Sequence, residues 1–245
     1  MRGLRTPVLV AAASAVLTAG GLTACTALGG KTFEDDAEVA GNVTAIRLDT
    51  GDGSVTVEPS AGASAILVHR KVDYRGDRPT GTSFRVTDGV LVLSGCGRKC
   101  GVDYVVKAPA GLPVAGGTSN GSLSLTDVAA VDVHTSNGEI AVRDATGPVR
   151  LRTSNGDVTV KNARGGDIDT QTSNGEVTIQ TATPQNIKAR TTSGGLTVTV
   201  PRAAYRISAD DFNGDKKMAF QDDPTGRYRL DLSTRNGDLT VKSAG

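Results

Sequence analysis

The chain has 245 residues, a formal charge of +1 and 38% hydrophobic residues. That balance argues against a nucleic-acid footprint or a polybasic membrane surface. With no Trp, four Phe and four Tyr against 31 Gly, an aromatic-packed globule is also disfavoured, and a thin core of Val, Ile and Leu is expected.

Residues 1–24 have the marks of an export signal. Arg2 and Arg5 give a positive start, and "PVLVAAASAVLTAGGL" at 7–22 is an apolar run too short, with the wrong flanks, for a stable membrane helix. "LTAC" follows at Leu22–Cys25 and resembles the bacterial lipobox. In that motif cleavage precedes the cysteine, which then carries acyl chains, palmitate among them. Cys25 is therefore the expected lipidation site. An ordinary secretory signal with an incidental cysteine is the alternative. No twin-arginine pair is present, which favours general secretion. The mature chain would carry 25 basic and 26 acidic residues, a net charge of −1. Its expected partner is the membrane, reached through acyl chains at the outer face of the cytoplasmic membrane, with no nucleic acid.

Residues 25–40, "CTALGGKTFEDDAEVA", are small and polar and are expected to form a flexible tether. Residues 41–245 form the body, with 61–110 as an interrupting segment. That segment holds "AILVHRKVDY", "CGRKC" and "VDYVVKAP", which suggest longer strands with a stapled loop, a cap or side sheet. Outside the cytoplasm Cys96 and Cys100 are expected to pair. Three intervening residues are one too many for a redox C-x-x-C, and no histidine stands close enough for a zinc site.

The body repeats itself. "TSNGEIAV" at 135–142 is followed by "TSNGDVTV" at 153–160 and "TSNGEVTI" at 172–179. Aligned on the glycine, apolar residues stand two and four positions after it. They also tend to stand seven and five before it, with Thr three before. Val131, Val133 and Thr135 precede Gly138, and Ile140 and Val142 follow it. Degenerate copies centre on Gly53, Gly89, Gly121, Gly194, Gly214 and Gly237. Asp52 or Ser193 replaces Asn in two of them, and Lys216 stands where an apolar residue belongs. From Gly121 the glycines are separated by 17, 18, 19, 19, 20 and 23 residues.

Each copy holds two strands of period two around a corner that needs positive φ. The corners are Asn120–Gly121, Asn137–Gly138, Asn155–Gly156, Asn174–Gly175 and Asn236–Gly237. A meander of Asn-Gly hairpins would also satisfy the alternation. In-phase Thr, Asn and Gly favour an all-β parallel β-solenoid of 18–20-residue coils, with matching Asn side chains stacked as an amide ladder. Nine copies at about 4.8 Å each would make a rod about 45 Å long. Pro113, Pro148, Pro184, Pro201 and Pro224 fall between copies, at the opposite corners.

Recurrent "TSNGxIxV" after a lipobox resembles the bacterial DUF4097 family. The resemblance spans roughly 42–245. It implies a β-solenoid and an adhesin-like role, and it carries no catalytic residues across.

Catalytic chemistry finds little support. The two histidines, His69 and His134, stand far from any G-x-S-x-G elbow, and His134 is expected to point outward from an alternating strand. Glu139, Asp157, Glu176, Asp215 and Asp238 follow Gly at equivalent positions and would stack as an acidic file. Such a file deters edge pairing and could bind cations weakly. A glycosidase would need a cleft with carboxylates roughly 5–9 Å apart. Asp211, Asn213, Asp215 and Asp222 have oxygen-ligand spacings, but Gly214 comes one residue early for an EF-hand loop. Outward threonines such as Thr197 and Thr199, or Thr178 and Thr181, lack the strict spacing of an ice-binding face. No cofactor and no metal are expected. The function that follows is a non-enzymatic envelope lipoprotein, whose rigid rod presents a surface to an envelope protein or polysaccharide. A carbohydrate-active β-helix enzyme, or an accessory of an envelope-stress system, is the alternative.

Overall fold

A computed structural model describes residues 30–60 and 65–244. In chain order the strands begin with β1 (Gly30–Val39), β2 (Ala45–Asp49), β3 (Val55–Pro59), β4 (Ile66–Arg75), β5 (Phe84–Thr87), β6 (Val90–Ser94) and β7 (Cys100–Ala108). Next come β8 (Val114–Gly117), β9 (Leu123–Thr126), β10 (Val131–Asn137), β11 (Ile140–Arg143), β12 (Val149–Asn155), β13 (Val158–Ala163) and β14 (Ile168–Gln171). The remainder are β15 (Val177–Thr181), β16 (Ile187–Arg190), β17 (Leu196–Val200), β18 (Tyr205–Asn213), β19 (Lys216–Met218), β20 (Tyr228–Asn236) and β21 (Leu239–Ser243).

Each repeat is one coil that turns a corner between two facing sheets. The strand before the corner joins a ten-stranded sheet, and the strand after it joins an eleven-stranded sheet. Equivalent strands pair in parallel and in register: Val131 lies beside Val149, and Ile140 beside Val158. A hairpin meander would pair each strand antiparallel with its sequence neighbour, so the parallel ladders establish the solenoid.

Stacking makes columns of inward side chains. Leu123, Ile140, Val158, Val177, Leu196 and Leu239 form one column, all buried. Val114, Val131, Val149, Ile168, Ile187 and Leu230 face them from the other sheet. Burying each aliphatic side chain contributes roughly 1.5–3 kcal/mol, and a slip of one residue would turn a whole column to water.

Chain order and spatial order part company at both ends. The β6/β7 coil lies outside β2/β3, and β8/β9 returns to the inner side of β2/β3. At the far end β18/β19 is outermost, and β20/β21 inserts between it and β16/β17. Thr191 N–H consequently donates to Ser233 O, 42 positions ahead, rather than to the next coil in sequence.

Three expectations change. First, residues 30–39, assigned above to a tether, form β1. It pairs antiparallel with β4 along ten residues, and its composition is polar because it is an edge strand with little core to cover. Second, Gly89 is not an Asn-Gly corner. Asp88 (φ 51°) and Gly89 (φ 75°) make a two-residue hairpin turn between β5 and β6, the I′ geometry favoured by Asp-Gly. Third, the 61–110 segment does not simply interrupt the array. β6 and β7 supply a full coil, with Leu91, Leu93, Val102, Tyr104 and Val106 in the core. The antiparallel strands β4, β1 and β5 then cap this end.

The cap is fastened by a buried cation. The Arg70 side chain, 8% exposed, makes a two-pronged pair with Asp35 of β1. It also donates to Gly81 O and Ser83 Oγ. Tyr104 OH bonds Ser83 as well, and Ser94 O. The Asp35 partner holds the Arg70 guanidinium above its ordinary pKa, so this cation stays charged inside the cap.

Glycine is obligatory at the corners for two reasons. Gly156 has φ 152°, and a Cβ there would lie 2.0 Å from Gly138 O of the adjacent coil. Gly156→Ala is therefore expected to lower stability by at least about 2 kcal/mol, combining backbone strain with a steric overlap the stack cannot relieve. Urea unfolding followed by far-UV circular dichroism measures it; an unchanged midpoint would contradict this account.

Candidate functional site

The corner carries a side-chain ladder. Asn137 Nδ2 donates to Asn120 Oδ1 at 2.8 Å, Asn155 to Asn137 at 2.9 Å, and Asn174 to Asn155 at 2.9 Å. Asn120 donates to Asp52 at 2.6 Å, which ends the ladder toward the capped end. At the other end Asn213 donates to Asn236 at 3.1 Å. Ser193 breaks the run, and Asn236 Nδ2 turns instead to Thr192 O at 3.4 Å. Beneath the ladder lies a second column. Thr135, Thr153, Thr172, Thr191 and Thr234 are buried, and each donates its hydroxyl to a glycine carbonyl of the neighbouring coil at 2.9–3.1 Å. The recurrent T-x-N-G is thus structural: Thr and Asn satisfy corner groups that the sheets leave open.

The carboxylates after Gly have the same kind of role. Asp157 Oδ1 accepts from Glu176 N at 2.8 Å, and Asp238 Oδ1 accepts from Asp215 N at 3.0 Å. Ser122 and Ser54 do so at equivalent positions. Among the described residues, Asp157 and Glu176 line none of the four best-formed surface clefts.

The calcium-like residues are drawn apart. Asn213 is in the ladder, Asp215 bonds Asp238, and Asp222 Oδ1 accepts from Ile207 N at 2.7 Å. Asp211 takes the slot beside Thr234, with both carboxylate oxygens buried and unpaired. Among the described residues no group of three His, Cys, Asp or Glu stands close enough to hold a metal ion. Lys216, the misfit of the repeat, lies beside Leu239 in the core column and bonds Ala209 O. Lys216 is thus an exposed charge at an inward register position of the outermost coil, a pattern that blunts a sheet edge. Asp222 and Asp223 fold over the same edge and occupy Ile207 N and Tyr205 O.

Two faces remain. On the ten-stranded sheet one outward column alternates in sign: Asp132, Arg150, Asp169, Lys188, Asp231. Arg150 lies 3.4 Å from Asp132 and 3.9 Å from Asp169, and Arg190 lies 3.5 Å from Asp231. Arg150, Arg152 and Arg190 thus pair with acids of the same face. His134 is exposed on it, as expected, while His69 of β4 pairs with Asp36 at 2.9 Å. The other sheet presents Thr56, Ser124, Ala141, Thr159, Thr178, Thr197 and Thr240 in unbroken register. One flank of this column is the carboxylate file. The other flank carries Arg143, Lys161, Gln180, Thr199 and Lys242. The threonine spacing that looked irregular along the chain is regular in space, because the stacking partner of Thr197 is Thr240 rather than a residue of the next repeat.

Cys96 and Cys100 are disulfide-bonded, with Cα atoms 5.7 Å apart. Cys25 lies outside the described residues. Sequence reasoning missed the opposite corner, where Asp127, Asp144 and Asn162 adopt positive φ of 54°, 57° and 56°. Aligning the copies on Gly would have shown these short polar residues in phase.

Residues 113–243 match the family profile described as Toastrack DUF4097, more than half of the chain. The chain belongs to the Toastrack DUF4097 family. Several solved structures resemble it. A proposed cell adhesion protein from Clostridium sporogenes is 13% identical with a TM-score of 0.39, covering 87% of this chain and all of that one. A proposed adhesin from Parabacteroides merdae is 13% identical with a TM-score of 0.36, covering 88% of this chain and 97% of its own. Another from Bacteroides fragilis is 14% identical with a TM-score of 0.37, covering 87% and 97%. No curated protein matches the chain.

Two outcomes test the Toastrack corner and tip. Ser193→Asn completes the ladder and is expected to raise stability by about 0.5–1 kcal/mol, whereas Asn155→Ala should lower it by about 1 kcal/mol. At the tip Tyr205 is buried, donates to Pro201 O at 2.8 Å and packs edge-on against Phe220. Burial, with Tyr228 adding to it, pushes its hydroxyl up to about 12. The folded value thus exceeds the unfolded value of about 10, so this contribution is intact below pH 10 and is lost as pH rises toward 12. Tyr205→Phe should flatten that part of the alkaline stability profile.

Proposed function

We propose that this chain is an exported, non-enzymatic lipoprotein of the bacterial cell envelope. In this reading it is an adhesin-like rod that presents the outer face of its eleven-stranded sheet to an envelope polysaccharide or protein. The carrying observation is the in-register column from Thr56 to Thr240, flanked by carboxylates on one side and cations on the other. Hydroxyls repeated at about 4.8 Å offer a long polymer the same contact many times over, so weak contacts add. The opposite face, where Arg150, Arg152 and Arg190 are already paired with neighbouring acids, has less to offer a ligand. The lipobox at Leu22–Cys25 and the names of the structural relatives, a cell adhesion protein and adhesins, support the envelope address.

The mature chain is to be screened against envelope glycans and detergent-extracted envelope proteins. Binding is expected to fall at least tenfold in Thr159→Arg/Thr178→Arg/Thr197→Arg and to persist in Lys188→Gln, on the other face. Equal loss or equal retention in both would overturn the assignment of the face. Separately, Cys25→Ala should release the protein from the membrane fraction. Unchanged retention would count against the anchor.

A further inference from the structure

At the capped end Lys31 of β1, Arg75 of β4 and Lys99 of the turn before β7 border one cleft of about 470 Å³, lined by Gly30–Thr32, Asp52, Asp73–Arg75 and Lys99–Gly101. Gly30 lies beside Arg75 in the β1–β4 register, Tyr74 lies beside Cys100 in the β4–β7 register, and Arg75 N donates to Lys99 O at 3.1 Å. Arg75 and Lys99 therefore stand at one level across the sheet, with Arg98 next in the chain, and Lys31 lies one position along β1, beside Tyr74, its Nζ donating to Gly76 O at 3.3 Å. The cleft's two carboxylates, Asp52 and Asp73, accept from the neutral donors Asn120 and Thr32, which do not offset their charge, so three cationic side chains border the cleft against two acidic ones. Lys99 has φ 61°, a left-handed conformation uncommon for a long side chain, and it is held inside the five-residue Cys96–Cys100 staple. The disulfide thus fixes a strained lysine at this spot.

The same end is where the chain comes from the membrane, on the lipoprotein reading above, which this inference rests on. Only four residues separate Cys25 from Gly30. Even fully extended, five residue steps reach at most about 18 Å. An acylated Cys25 would hold Lys31, Arg75 and Lys99 close to the lipid headgroups. We propose that this cationic cluster docks on the phosphates of anionic phospholipids and, together with the acyl chains, sets the rod's orientation on the bilayer. The mature chain's overall charge of −1 gives no hint of such a local cluster.

The test uses the mature chain carrying Cys25→Ala, so that vesicle binding reports the cluster without acyl chains. Sedimentation with phosphatidylglycerol vesicles at low salt is expected to exceed that with phosphatidylcholine vesicles and to weaken as salt rises. Each neutralised cation should weaken binding about fivefold, so Lys31→Gln/Arg75→Gln/Lys99→Asn should weaken it about a hundredfold. Lys188→Gln, on the distant face, should leave it unchanged, and matching thermal melts show that the triple variant is folded. Equal binding to both lipids, no binding, or a triple variant that binds like its parent would overturn the proposal. None of these outcomes touches the anchor, which membrane retention of the Cys25 form tests independently.

Discussion

Backbone hydrogen bonds between coils hold each residue above its counterpart, one coil away, and the closest approach is at the glycine corner. There the carbonyl of Gly138 occupies the space a Cβ on Gly156 would need, and Gly156 stands in the same relation to Gly175. Once that contact sets the phase, the neighbouring positions inherit it. The corner asparagines come within amide hydrogen-bond distance, the threonines beneath them meet glycine carbonyls, and aliphatic side chains fall into columns. A change at one corner is therefore felt by the two coils that touch it, while the same change on an outward column is felt mainly by solvent.

Much of this was legible because stacking imposes a periodicity that a linear chain must display. Positions on either side of Gly138, Gly156 and Gly175 alternate cleanly, and each inward residue named from that alternation is buried. The order of the coils was not legible. Gly214 follows Gly194 in the chain, yet its coil stacks on that of Gly237, because parallel pairing rewards matching columns rather than sequence proximity. Lys216 looked like a defect in the repeat. It suits an outermost coil, where an apolar residue at that position would face water and an open edge would invite pairing. The polar strand β1 escaped detection for a related reason: an edge strand with one neighbour has little apolar surface to declare.

Electrostatics divides the rod's surface in a way composition hides. A near-neutral total is reached by local pairing on one face, by separate files of opposite sign on the other, and by a cationic gathering at the capped end. Only the first of these pairs several of its charges internally. The candidate binding surfaces were for this reason invisible to net charge and to motif searching, since they arise from residues brought together by coil spacing alone.

The wedge of β20 and β21 between the β16/β17 and β18/β19 coils bears on how the molecule assembles. In an ordinary solenoid each new turn can dock as soon as it is made, and growth proceeds like a zipper. Here residues 205–218 have no ladder to join until residues 228–243 arrive, since β18 and β19 pair only with β20 and β21. The last segment thus acts as a keystone. A newly made chain would wait with two turns undone, and their closure would be a single concerted event late in folding.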